Sequence, residues 1–289
     1  MEIRSPELRE DFATGFYRSA NEAWENLYYG LNLRGDESAP RGLKVRETLG
    51  CNIYISNPYD NLVYNSFRKS SPYYVAQEYF WYHSGNRDVE SIAKYAGFWR
   101  RIANEDGTVN SNYGAYIFDK NYKPINGMSR WEYLVETLKK DPDSRQAILQ
   151  IPIIDTLGTK DVCCTSNIQF FIRGGLLMTT VYMRSNDLNK GFCNDIPFFT
   201  SLQINLAKEL GVEVGWYRHC VGSMHIYEPD FLEVVAEKTG KSFNFEYIEF
   251  DDRHPAYNYL DDYEILRNRE SGGVINKKLL YMAKNFDTK

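Results

Sequence analysis

The residues able to do chemistry crowd into one part of the chain: Cys163-Cys164-Thr165-Ser166, Met183-Arg184-Ser185-Asn186-Asp187 and Gly191-Phe192-Cys193-Asn194-Asp195. A thiol, a guanidinium and a carboxylate spaced by about one hairpin and one turn suit chemistry on a nucleotide base. Cys164 precedes an apolar strand pattern beside polar Thr165 and Ser166. A cation such as Arg184 nearby lowers a thiol's pKa toward the reactive thiolate. Core filling is the plainer reading of the same cysteine.

Arg184-Ser185 joins a charged fork to a hydroxyl, both good phosphate ligands. Arg46 and Arg145 are similar in kind, and a surface ion pair is the commoner fate of all three. His225 and Tyr227 lie two apart on a strand-like run, so both tips face one way and suit a sugar hydroxyl. Glu78 sits among Tyr79, Phe80 and Trp81. Burial among rings raises a carboxyl pKa and suits it to proton transfer.

These groups need a scaffold, and 289 residues with 43% hydrophobic content supply a sizeable core. A net charge of −5 argues against a polynucleotide-binding surface but not against a small phosphorylated substrate. The five cysteines form no zinc-type pairs or disulfide framework, and no metal site is expected. Met1 to Glu10 lacks the apolar core of a secretion signal, and no run is apolar enough to span a membrane, so a cytoplasmic setting is expected.

Helices are predicted over Ala20–Leu31, Val75–His83, Val89–Ile102 and Ser129–Lys140, the last with a capping box of Ser129 and Glu132. Pro197 is expected to open a helix ending at Gly211, and Pro229 another ending at Gly240. Strands are predicted at Cys51–Ser56, at Ala147–Ile154 as a buried strand, and at Ser242–Phe250. Ile168–Ile172 and Leu176–Met183 flank Arg173-Gly174-Gly175 as a hairpin. No repeat or long linker interrupts the chain, so a single α+β domain over residues 1–289 is expected.

The ordered set Arg46, Glu78 to Trp81, Asn112-Tyr113-Gly114, Asp141 to Arg145, Cys164 to Phe170, Arg184 to Asp187, Gly191 to Asp195 and His225-Ile226-Tyr227 resembles the thymidylate synthase family. Within it, the phage deoxycytidylate hydroxymethylases share Cys164-Thr165, Arg184-Ser185-Asn186-Asp187 and Asn194-Asp195. The resemblance implies that family's mixed sheet with flanking helices, packed across a homodimer interface.

It also implies roles. Cys164 would add to ring carbon 6 of a pyrimidine, and carbon 5 would then attack methylenetetrahydrofolate, the co-substrate. Arg46, Arg184 and Ser185 would hold the nucleotide phosphate, with Arg145 reaching in from the second subunit. His225 and Tyr227 would meet the sugar, while Gln169 and Asn194 would help bind substrate. Glu78 would order water and move protons; Trp81, Trp99 and Asp187 would border the folate. Gln146 departs from the family, which has a second Arg there.

Synthases carry Asn where Asp195 stands, and hydrogen-bond polarity makes the difference. An Asn amide can donate to a uracil carbonyl; an ionised carboxylate only accepts, as from the exocyclic amine of cytosine. The expected reaction is conversion of dCMP to 5-hydroxymethyl-dCMP, with water adding to the exocyclic methylene. A CMP hydroxymethylase, a methylating dCMP or dUMP synthase, and a silent nucleotide- or RNA-binding homologue are the alternatives.

Overall fold

Strands β1 (Thr14–Tyr17), β2 (Asp36–Ser38), β3 (Val45–Ile55), β4 (Ile148–Gln150), β5 (Thr165–Arg173), β6 (Leu176–Asp187) and β7 (Glu213–Tyr227) form one mixed sheet. The sheet belongs to a computed structural model describing residues 12–65 and 67–240. Its order is β1-β3-β7-β6-β5-β4, with β2 also pairing β3. The β5–β6 hairpin forms as predicted: Gly174 and Gly175 both have positive φ, 58° and 78°, as a two-residue connection with the sheet's twist demands. The β6–β7 pair is parallel and needs a crossover, which is the long helix between them.

The helices are α1 (Ala20–Arg34), α2 (Pro72–Ser84), α3 (Glu90–Ala93), α4 (Trp99–Ile102), α5 (Gly114–Ile117), α6 (Arg130–Lys140), α7 (Ile153–Thr156), α8 (Cys193–Leu210) and α9 (Leu232–Thr239). Both hydrogen bonds of the α6 capping box are present. Gly211, with φ 69°, closes α8, and its N–H donates to the Ala207 and Lys208 carbonyls.

Four predicted elements differ. The single helix over Val89–Ile102 is two short turns, α3 and α4, interrupted around Gly97, a residue that disfavours helix. The buried strand over Ala147–Ile154 is only β4, because Pro152 cannot extend a ladder. Ile148 is 44% exposed and Leu149 fully buried, so β4 covers the core with one face alone. Pro197 lies inside α8 rather than at its start, since a π-helical turn, Leu188–Phe192, leads straight into Cys193. Pro229 falls in a 3-10 turn before α9 rather than opening it. The predicted strand Ser242–Phe250 lies outside the described residues.

The core is packed between the sheet and helices α1, α2, α6 and α8, and includes Trp24, Trp81, Phe170, Phe192, Phe198 and Tyr217. Among the described residues no helix is long and apolar enough to cross a membrane. A close backbone approach joins α5 to α2 at Gly114. A Cβ at Gly114 would fall 1.4 Å from the Tyr82 carbonyl oxygen. Gly114→Ala is therefore expected to cost about 3 kcal/mol, the upper range for overpacking, because backbone must move. Thermal unfolding should show a Tm several degrees lower; an unchanged Tm would mean that α5 docks elsewhere.

Candidate active site

The loop before β5 presents two adjacent thiols in different ways. Cys163 is fully buried, and its S–H donates to the Asn110 carbonyl at 3.3 Å. Cys164 is half-buried. Its carbonyl accepts the Arg184 N–H at 2.8 Å. The Arg184 guanidinium donates to the carbonyls of Cys163 (3.0 Å, from Nε) and Val162 (2.8 Å). Arg184 thus pins the cysteine loop to β6. A Cβ at Gly222 would lie 2.6 Å from the Arg184 carbonyl oxygen, so β7 approaches this pin closely only because residue 222 is Gly.

The expectation that Arg184 makes Cys164 a ready thiolate is corrected. Burial pushes its thiol up to about 11, and the fields of Arg184 and Arg41 do not offset this. Asp195 and Asp161 push it further the same way. Desolvation outweighs the cations here, and the resting nucleophile is a neutral thiol.

Asp195, in the first turn of α8, is 8% exposed and accepts from the Asn186 amide at 2.7 Å. Burial pushes its carboxyl up to about 7; the Asn186 hydrogen bond opposes this and Asp187 adds to it. Glu78, on α2, is 5% exposed. Burial pushes it up to about 8, with the Asp195 charge adding and the Tyr74 hydrogen bond opposing. Tyr74 donates to Glu78 at 2.9 Å and accepts from the Trp99 indole at 2.8 Å. The rings of Tyr82 and Tyr113 stack 5.5 Å apart, nearly parallel. Tyr82 feels Glu78 and Asp195, and Tyr113 feels Cys164 and Asp195. Thiol and both carboxyls therefore share one aromatic-walled region.

The other expected residues divide. His225 and Tyr227 do share a face, their rings edge-on at 5.2 Å, and His225 pairs with Asp187 across β6–β7. Ser185 lies two residues before Asp187 on β6, opposite Ser223. Asp187 accepts the N–H groups of Asn189 and Lys190 (2.8 and 3.1 Å), fixing the π-helical turn that leads to Asp195. Asn194 spends its amide on the Lys190 carbonyl at 2.8 Å. Trp81 and Trp99 are buried against each other, centroids 4.8 Å apart.

Gln169 turns to the face of β5 opposite buried Ile168 and Phe170 and donates to the Arg145 carbonyl at 3.0 Å. Arg145 is exposed beside it, and so is Gln146. Arg46 is engaged elsewhere. Its guanidinium forms a fork with Glu233 (2.6 and 3.0 Å) and lies 4.2 Å over the Phe231 ring, which ties β3 to α9.

Arg41, five residues earlier, puts a positive field on Cys164. It is exposed and holds a left-handed backbone, φ 55°, between Pro40 and Gly42. Such a conformation costs a non-glycine residue on the order of 1 kcal/mol. The only sequence signal was a cation in a Pro/Gly turn. Asn186, His219 and Tyr217 were also missed as site residues. Their signal is the period-two placement of 217 and 219 on one buried face of β7.

Comparison with known proteins agrees with this fold. The thymidylate synthase family profile matches residues 39–266. The deoxyuridylate hydroxymethyltransferase of Bacillus phage SP01 is 31% identical over 219 residues, which cover 72% of this chain and 57% of that protein. The deoxycytidylate 5-hydroxymethyltransferase of Enterobacteria phage T4 is 28% identical over 225 residues, covering 72% and 87%. The solved structure of thermostable thymidylate synthase A from Bacillus subtilis superposes with a TM-score of 0.62 at 20% identity, covering 83% of this chain and 92% of that one. The profile match, which spans most of the chain, places the protein in the thymidylate synthase family.

Proposed function

We propose that the protein is a one-carbon transferase converting dCMP to 5-hydroxymethyl-dCMP. The observation that carries this reading is Asp195, whose Oδ2 accepts from Asn186 while its second oxygen is left to the aminopyrimidine edge. Cytosine offers an exocyclic amine donor there. A carboxylate accepts it, whereas the carbonyl of uracil would face it acceptor to acceptor.

Methylenetetrahydrofolate is the one-carbon donor of the family and supplies, when bound, a carbon at the formaldehyde level. The residues present fit such a group. The Trp81 indole N–H is buried without an acceptor among the described residues, Trp99 backs Tyr74 and Glu78, and the Asp187 charge reaches Asp195. Cys164 gives up its proton and adds sulfur to carbon 6, so the ring electrons move to carbon 5 for attack on the donated carbon. Carbon 5 then loses its proton as the bond from the new carbon to the folate nitrogen breaks, which releases tetrahydrofolate and leaves an exocyclic methylene. Water adds to the exocyclic methylene, and the C6–S bond breaks to return the thiolate. Glu78, protonated at neutral pH and linked to Tyr74, is placed to exchange protons with ring and water. Arg41, Arg184 and Ser185 bind the phosphate; His225 and Tyr227 bind the sugar.

A second copy of the chain completes this reading. The sheet face away from the helices exposes Ile148 (44%) and Tyr182 (38%), and Arg145 lies at its margin beside Gln169. A homodimer across that face would send Arg145 toward its partner's phosphate.

Deoxyuridylate is the second reading, favoured by the raised Asp195 carboxyl. In its protonated form Asp195 donates to a uracil carbonyl and accepts from the ring N–H. Incubating the protein with dCMP, CMP and dUMP plus methylenetetrahydrofolate and reading products by mass separates base, sugar, and hydroxymethyl from methyl. No product and no tritium release from carbon 5 would leave only a binding protein.

Glu78→Gln is expected to lower kcat about 100-fold to 10,000-fold, the usual worth of a positioned acid–base. It should also flatten the pH dependence of stability. Glu78 ionises near 4.5 when unfolded and about 8 when folded, so the folded state binds the extra proton between those values. Wild-type stability therefore falls as pH rises from about 4.5 to 8, and the amide removes that contribution. Tm measured from pH 5 to 8 should fall less steeply in the variant; identical slopes would mean that Glu78 is not buried as an acid.

A further inference from the structure

Behind Asp195 three buried side chains join end to end. The Tyr217 hydroxyl lies 2.9 Å from His219 Nδ1, His219 Nε2 lies 3.2 Å from Asn186 Oδ1, and Asn186 Nδ2 lies 2.7 Å from Asp195 Oδ2. Tyr217 and His219 are fully buried on β7, and Asn186 is 3% exposed on β6. The links thus cross from β7 through β6 to the first turn of α8.

Their direction follows from hydrogen-bond inventory. Asn186 Nδ2 can only donate, so its oxygen must accept from Nε2–H. Burial pushes the His219 ring down to about 3, so it stays neutral and Nδ1 is bare. That nitrogen accepts from the Tyr217 hydroxyl. Every donor points the same way, and bonds in such a chain polarise one another. Gly191 makes room for the last link. A Cβ there would lie 2.5 Å from Asn186 Nδ2 and 3.2 Å from Asp195 Oδ2.

We propose that Tyr217, His219 and Asn186 are positioning residues: a one-way relay that fixes the Asn186 amide with its N–H toward Asp195, and so dictates which oxygen of Asp195 reads the base. Without His219 the amide can turn over and set oxygen against oxygen. The donor bond to the carboxylate would then be lost. The other groups around Asp195 are Asp187 from β6, Glu78, Tyr74 and Tyr82 from α2, Tyr113, and Cys164. None of them donates to Oδ2 in place of Asn186. The consequence for base choice rests on the dCMP reading above, whereas the effect on Asp195 itself does not.

The test uses the full chain and two readouts. Carboxyl-13C aspartate NMR follows Asp195, identified by the signal missing in Asp195→Asn, and steady-state kinetics give the ratio of kcat/KM for dCMP over dUMP. His219→Leu is expected to raise the Asp195 midpoint by about one pH unit, as loss of a hydrogen bond to the charged form does. The dCMP:dUMP ratio should drop roughly tenfold. His219→Gln, whose amide can still donate to Asn186 Oδ1, should bring both back toward wild type. Tyr217→Phe deletes one hydroxyl and should shift both in the same direction by less; it carries the test if His219→Leu does not fold. Unmoved midpoints in folded His219→Leu or Tyr217→Phe would overturn the relay. A midpoint that moves while the ratio stays flat would uphold the relay and overturn the dCMP reading.

Discussion

Asp195→Asn is expected to reverse base preference: kcat/KM for dCMP falls about 100-fold and that for deoxyuridylate rises by a comparable factor. Mispairing one buried polar group costs about 1–3 kcal/mol, or roughly 5-fold to 150-fold, and here one bond is lost on cytosine as one is gained on uracil. The site makes the exchange nearly isosteric. Asp195 is 8% exposed and, among the described residues, receives the Asn186 amide alone, which the new Asn accepts through its oxygen as Asp did. The pH dependence is a second signature. Asp195 is pushed up to about 7, so dCMP selectivity in the wild type should rise as pH passes 7 and the carboxylate fills. In the Asn variant that inflection should disappear. Steady-state kinetics on both nucleotides from pH 6 to 8.5 read the two effects together. Unchanged cytosine selectivity in the variant would remove Asp195 as the base-reading residue.

What the sequence disclosed about this site follows the range of the interactions involved. The hairpin at Gly174-Gly175 and the α6 capping box depend on neighbours in the chain, and both stand where their residues predict. The grouping of Cys164, Glu78 and Asp195 depends on the sheet order, which no local pattern encodes; it was legible only through resemblance to a family. Charge partners were the least legible. Arg46 and Arg41 flank the same polar loop, yet one is folded onto Glu233 and Phe231 while the other turns its field on Cys164. That choice is made by α9, far along the chain. The thiol's protonation was misjudged for a related reason, since a neighbouring Arg is visible in sequence and the depth of a pocket is not.

Cys164→Ser should abolish turnover, with a loss of at least about 10,000-fold, because a hydroxyl at this position is far harder to ionise than a thiol and forms the carbon 6 adduct poorly. Binding should persist, since the side chains proposed to hold phosphate and sugar are untouched, and nucleotide Kd within a few-fold of wild type would separate lost chemistry from lost folding. Cys163→Ala is the control. Cys163 is fully buried with its S–H on the Asn110 carbonyl, so its removal is expected to lower Tm while leaving the adduct-forming thiol in place. Mass spectrometry of denatured protein quenched with 5-fluoro-dCMP and folate should find nucleotide on the peptide bearing Cys164 in wild type and Cys163→Ala, and none in Cys164→Ser. The raised thiol adds a constraint on the free protein. With its proton held up to about 11, iodoacetamide labelling of Cys164 should accelerate nearly tenfold per pH unit through pH 9, without levelling off. A plateau near neutral pH would mean that Arg184 and Arg41 already hold a thiolate, contrary to the desolvation that decides the balance in this pocket. Under the proposed function, bound nucleotide should change that rate, because its phosphate would meet Arg184 and Arg41, the cations that now oppose the thiol's proton.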